Sequence, residues 1–213
     1  NHSAMRSGPN QYWSTVELFG SDRIEALRGT HGVLFGADAV GGIVNSLSSK
    51  PYYSNQKNNR SFELLGRTSS AEHSISAGFS AEVSSPKWFA EISHIERSFG
   101  DLDGGRKIGR QKNTGYDVKG SQARLSRKLS DNANLIFGIQ KNFLDDVPRT
   151  HKTIDGLTWE GLSRGKEIWR RLDQERNLYY GKIDWEDIEG IANSGQLIVS
   201  LHSHEQERNR MKG

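Results

Sequence analysis

Cysteine is absent from the 213 residues. That excludes a disulfide scaffold, thiolate catalysis and cysteine-ligated zinc. Proline is scarce, at 4 residues, and apolar residues make up only 33%. So low an apolar content fits either a wet fold with a thin apolar layer or a partly disordered chain. The 5 Trp, 6 Tyr and 8 Phe, spread along the length, argue against disorder. No apolar run approaches the roughly 18 residues of a membrane helix. No charged segment followed by an apolar stretch opens the chain as a secretory signal would. Neither sign of charge dominates: 29 Lys+Arg against 26 Asp+Glu leave +3. That balance is too even for a dedicated nucleic-acid binder, which carries a clustered basic stripe. These absences exclude a helical membrane protein. They leave open a membrane β-barrel, whose strands alternate and never form a long apolar run.

What is present changes character near Lys50-Pro51. Before it, short apolar runs are punctuated by glycine; after it, apolar and polar residues alternate. Residues 74–83 are the clearest case. Ile75, Ala77, Phe79, Ala81 and Val83 share one face, and Ser74, Ser76, Gly78, Ser80 and Glu82 share the other. Ten alternating residues match the length of a tilted strand crossing a bilayer and exceed the usual five or six. Residues 60–68, 87–96, 116–129, 134–143, 177–187 and 196–205 repeat the pattern, giving about seven strands. Lys119 and Arg127 fall on the apolar face of the fourth segment and leave its register open. The best helical candidate is 165–175, a charged stretch that reads equally as loop. Connections alternate in length: short around Pro86, Asn132 and Gly190, long and polar over 98–115 and 144–176. Outer-membrane barrels alternate in this way, with tight turns on one side and long loops on the other. Trp88 and Trp185 stand beside short turns, as an interfacial girdle requires; core packing at strand ends is the alternative.

The segment from Asp22-Arg23-Ile24-Glu25 through Leu27-Arg28-Gly29 and Phe35-Gly36 to Gly41-Gly42-Ile43-Val44-Asn45 resembles the end of the plug domain of TonB-dependent outer-membrane receptors. The family's elements stand in order and at family spacing. Thr30 replaces the usual proline after Arg-Gly, and Phe35 the usual tyrosine before glycine. Further blocks around 100–117, 145–151 and 172–176 look like loop and strand-edge segments of one receptor subgroup.

The resemblance implies a mainly β fold. Residues 1–50 would be the C-terminal part of an α/β plug and 51–59 a linker. Residues 60–213 would form about seven antiparallel up-and-down strands of an incomplete transmembrane β-barrel. It implies a fragment of a Gram-negative outer-membrane receptor for TonB-coupled uptake of a scarce nutrient, with an iron complex of siderophore or haem type as cargo. The expected partners are the inner-membrane TonB complex, outer-membrane lipid and an iron chelate, with no nucleic acid, cofactor or resident metal. A non-transporting, adhesin-like barrel is the alternative, and a soluble β-sandwich a third reading.

Arg6, Asn10, Tyr12 and Trp13 fall where the family has a plug loop facing the outer vestibule. Aromatics beside an arginine suit an anionic or aromatic chelate; packing of Tyr12 and Trp13 against the wall is the alternative. Glu25 and Arg28 are expected at the plug–barrel contact, buried and therefore paired. Gly29, Gly36, Gly41 and Gly42 suit turns with positive φ. His202 and His204, two residues apart, share a strand face and read as a lumen-facing polar pair in preference to a metal site. Asp101-x-Asp103-x-Gly105 is half of a calcium loop without its later glutamate. No Gly-Lys-Ser/Thr phosphate cradle is present, and no enzyme is expected.

Overall fold

The computed structural model describes residues 15–30, 41–55, 58–105, 108–156, 158, 163–187 and 193–213. The chain divides into two units, Asn1–Pro51 and Tyr52–Gly213.

In the first unit, β1 (Arg23–Arg28) and β2 (Gly42–Leu47) pair antiparallel from Arg23 opposite Leu47 to Arg28 opposite Gly42. Ser21 and Ser46 join their hydroxyls at 2.7 Å beside the open end of the hairpin. Gly42 has φ 150°, and a Cβ there would stand 2.7 Å from the Leu27 carbonyl oxygen, so the hairpin requires glycine at this position. Gly29 also has positive φ, whereas Gly41 does not. Gly36 lies outside the described residues.

The second unit is mainly one antiparallel sheet of seven strands: β3 (Asn59–Ser69), β4 (Ser74–Ser84), β5 (Trp88–Phe99), β8 (Tyr116–Ser130), β9 (Ala133–Pro148), β10 (Glu167–Trp185) and β11 (Gly195–Lys212). Their order, β11-β10-β9-β8-β5-β4-β3, is an up-and-down meander without crossovers. Each of the seven segments expected from alternation lies on one of these strands. The sheet is open, since β3 and β11 each pair on one side only. The antiparallel pairing sends the 70–73 turn and the 100–115 and 149–166 loops to one end. It sends the turns after β4, β8 and β10 to the other. Among their described residues the long loops contain a two-residue pair, β6 (Leu102–Asp103) with β7 (Arg110–Gln111), and a 3-10 turn at Thr150–Lys152.

Two expectations are corrected. Residues 167–175 are strand, and the connection before them is shorter than 144–176, because β9 runs on to Pro148 and β10 starts at Glu167. The charges that suggested helix or loop are satisfied across strands and along β10. Arg170 meets Glu167 at 2.6 Å, Arg171 meets Asp146, and Arg210 reaches Glu167 at 3.5 Å. Charge complementarity across strands thus carries β10 well past its alternating segment. The register of β8 is settled by the partners of its two awkward cations. Lys119 lies opposite Glu96 and pairs with it at 3.6 Å, and Arg127 lies opposite Trp88 and over its ring at 5.1 Å.

Candidate functional site

The register builds two unlike faces. One transverse row runs Ser61, Glu82, Glu91, Arg124, Gly138, Tyr180, Ser200 from β3 to β11. Because side chains alternate, residues two apart from these share their face. That face carries Ser76, Ser80, Ser93, Gln122, Ser126, Gln140, Asn142, Arg176, Lys182, Asp184, His202 and His204. The other carries Phe62, Leu64, Ile75, Phe79, Val83, Trp88, Ile92, Leu125, Phe137, Ile139, Tyr179, Ile183, Leu197, Val199 and Leu201.

The face with the polar row is the occluded one, and it also buries Phe89, Ile95, Val118, Ile136 and Leu144. On the polar face Ser76, Ser84, Glu91, Ser93, Ser126 and Asn142 are buried. On the apolar face Leu64 is 73% exposed, Phe62 65%, Ile75 64% and Phe137 54%. A sheet with one face in water keeps that face polar; this one leaves its almost uniformly apolar face exposed. The apolar residues form a band. On β10 it runs from Tyr179 to Trp185, six residues or about 20 Å of strand. On β4 it runs from Ile75 to Val83, about 27 Å. Toward the loop end it gives way to His94, Glu96, Lys119, Lys141, Glu175 and Glu205. A depression of about 680 Å³ crosses the band beside Gly181, between Phe137, Ile139, Tyr179 and Val199. No helix among the described residues is long and apolar enough to cross a membrane.

The polar face holds a buried charge pair. Arg124 donates to Glu91 at 2.5 Å, with side chains 9% and 6% exposed, and lies over the Phe89 ring at 5.3 Å. Tyr180 covers Gly138 in the same row, where a Cβ would fall 2.2 Å from its ring. Tyr53, ahead of β3, shares a 2.6 Å hydrogen bond with Ser126. Lys182 and Asp184 pair at 3.1 Å. Alternation placed Arg124 with Gln122 and Ser126, but its union with Glu91 was hidden. The long 100–115 loop joins β5 to β8, so no turn geometry fixed their register in advance.

At the loop end, Asn113 donates to Asp155 at 2.9 Å and ties the two long loops together. A cavity of about 500 Å³ beside them is lined by Asn113, Asp155, Ile154, Trp169 and Arg171. Burial, with Lys152 and Arg149 nearby, holds the His151 imidazole below its ordinary pKa and so neutral at pH 7. The carboxylates of Asp145, Asp146 and Asp173 lie within 4.8 Å of one another. The cluster supplies its own countercharge: Arg171 takes Asp146, and the Asp146 amide donates to Asp173 at 2.8 Å.

The sequence candidates distribute as follows. Arg6, Asn10, Tyr12 and Trp13 lie outside the described residues. Arg28 is exposed at the end of β1, and half-buried Glu25 pairs with Arg23 at 2.8 Å. His202 and His204 share the polar face, as expected for residues two apart. The half calcium loop is committed elsewhere. Asp103 meets His73 at 3.0 Å, and Asp101 accepts the Thr114 amide at 3.1 Å and lies 3.5 Å from Arg110. No protein-family model matches the chain, and no curated protein matches it.

Proposed function

We propose that this chain is part of a TonB-dependent outer-membrane receptor. In this reading residues 1–50 are the C-terminal part of the plug and 60–213 the first strands of the barrel wall, with further strands closing the sheet. The observation that carries it is the broad apolar face that the seven-stranded sheet leaves exposed. A broad apolar face left outside and a polar face occluded suit hydrocarbon on one side and a wet lumen on the other. A meander with its long loops at one end supports the same reading, as does the Arg23–Asn45 hairpin with its glycine-dependent turn.

The function that follows is energy-coupled uptake. An iron chelate would bind from outside, at the loop end and the plug segment containing Arg6, Asn10, Tyr12 and Trp13. TonB, pulling from the inner membrane, would then rearrange the plug and open a path along the polar lining. No covalent step is involved. The test is accumulation of a radiolabelled ferric chelate by cells making the complete receptor. Accumulation abolished by a protonophore, with surface binding retained, is the expected result. Binding without accumulation would overturn transport and leave a non-transporting barrel.

A further inference from the structure

Charge is distributed unequally between the two rims of the apolar band. At the loop-end rim two of the three cations are engaged, Lys119 with Glu96 at 3.6 Å and Arg171 with Asp146, and Lys141 stands among acids. Asp117, Asp145, Glu175, Glu205 and Glu207 share that end of the same face, which is therefore acidic. At the short-turn rim, from β3 to β8, Arg60 and Arg127 lie on the apolar face and Lys87 is exposed in the adjoining turn. Arg60 lies opposite Val83, and Arg127 lies over Trp88. No ion pair ties any of the three to a carboxylate of the described residues. The nearest candidate, Asp131, is held by Lys128 at 2.7 Å, and Glu186 and Asp187 follow β10, two strands away.

Three uncompensated cations at the edge of an exposed apolar band, around a half-exposed tryptophan, form a surface with two requirements. It needs anionic groups at the height of Trp88 and acyl chains immediately beside them. A soluble anion meets only the first, and an apolar protein partner only the second. We propose that Arg60, Lys87 and Arg127 form a binding rim for the phosphates of anionic glycerophospholipids in the leaflet at the short-turn side. Each cation near such a surface adds to the attraction for anionic headgroups. The stacked Arg127–Trp88 pair seats one guanidinium at the interface, where indole rings collect. The acidic loop-end rim repels the same lipids, so the two rims together also favour one orientation of the sheet. The inference rests on the membrane reading above and adds to it a lipid class and its contact residues.

The test reconstitutes the complete receptor in vesicles of phosphatidylcholine mixed with phosphatidylglycerol, one or the other brominated near the glycerol. The fluorescence quenching lost on Trp88→Phe isolates the signal of that residue. The expected result is a phosphatidylglycerol preference at Trp88 of about three- to tenfold, falling toward one as salt screens it. Arg60→Gln/Lys87→Gln, which leaves the Arg127–Trp88 stack intact, should lower the preference, whereas Lys119→Gln/Lys141→Gln at the opposite rim should not. If the double variant fails to fold, the salt series on the unaltered receptor decides alone. Equal quenching by both lipids would overturn the rim and leave the membrane reading standing. Absence of quenching by either would overturn both.

Discussion

Glu91 and Arg124, directly opposite on β5 and β8, meet at 2.5 Å on a face where both side chains are almost wholly buried. Glu91 faces a second acid on its other side, since Glu82 is its register partner on β4. Loss of Arg124 therefore leaves the buried Glu91 carboxylate unpaired beside a second acid. Arg124→Leu is expected to cost about 3–5 kcal/mol, read as a lowered urea midpoint of the complete receptor in micelles. Adding Glu91→Gln should restore most of it, because a neutral amide is far cheaper to bury than a bare carboxylate. Additive losses in the double variant would show that the pair does not act as a unit.

Phe79 and Ser80 are neighbours in β4 on opposite faces. A charge placed mid-bilayer on the lipid side of a barrel costs about 2–4 kcal/mol for arginine or lysine, whereas a lumen substitution is tolerated. Phe79→Arg in the complete receptor should therefore reduce the amount recovered in the outer membrane several-fold more than Ser80→Arg. Quantitative immunoblotting of membrane fractions reads the difference, and equal losses would contradict the assignment of faces.

These faces were legible in the sequence because period-two alternation is a local signal. Ile75 to Val83 declare their side without reference to any partner. The same locality explains what was missed. Beyond residue 167 the strand is held by Arg170–Glu167, Arg171–Asp146 and Arg210–Glu167. A run of charges looks alike in a helix, a loop or a strand until its neighbours are known. The Glu91–Arg124 pair is hidden for the same reason, since a long loop separates its strands. By contrast Arg127 and Lys119, which obscured the pattern of β8, become intelligible once Trp88 and Glu96 stand opposite.

Gly138 and Tyr180 provide a packing prediction. The Tyr180 ring occupies the space that a side chain at 138 would need. Gly138→Ala must displace the ring, at about 1–3 kcal/mol for overpacking in a well-filled site. Tyr180→Ala alone loses ring contacts, but it should make Gly138→Ala nearly neutral in its background. A double-mutant cycle on unfolding midpoints measures that coupling; a cost of Gly138→Ala unchanged without the ring would assign it to strand conformation instead.

The 70–73 turn at the loop end should respond to acid through Glu72. Ser69 and Ser74 donate to its two carboxylate oxygens at 2.8 and 2.9 Å, and these hydrogen bonds lower its pKa below the ordinary range. An acid whose folded pKa is lowered stabilises the fold above its unfolded value, about 4.3 for glutamate. That contribution is lost as pH falls through the lower folded value. Amide hydrogen exchange at Ser69 and Ser74, the register pair that closes this turn, should therefore lose protection below about pH 4. Glu72→Gln should remove the acid dependence of that protection. A wild-type turn whose protection does not change across this range would sink the idea.

The last prediction concerns the 213 residues taken alone into water. β3 and β11 are edge strands, each with a row of backbone N–H and C=O groups that no strand of this sheet meets. β11 is 18 residues long and exposes Leu197, Val199 and Leu201 on one side. Long apolar edges of this kind template association between chains. The adjoining apolar band far exceeds what soluble monomers leave uncovered. In hydrocarbon the edge groups would each cost several kcal/mol, so the open sheet cannot serve as a membrane span either. The isolated chain should therefore associate in aqueous buffer and disperse only in detergent, where micelles cover the band but leave the edges to pair. Light scattering and thermal unfolding of residues 1–213 check this. A monodisperse monomer in water with one cooperative transition would mean that the apolar face is covered within the chain itself, and the proposal of a barrel wall would fall with it.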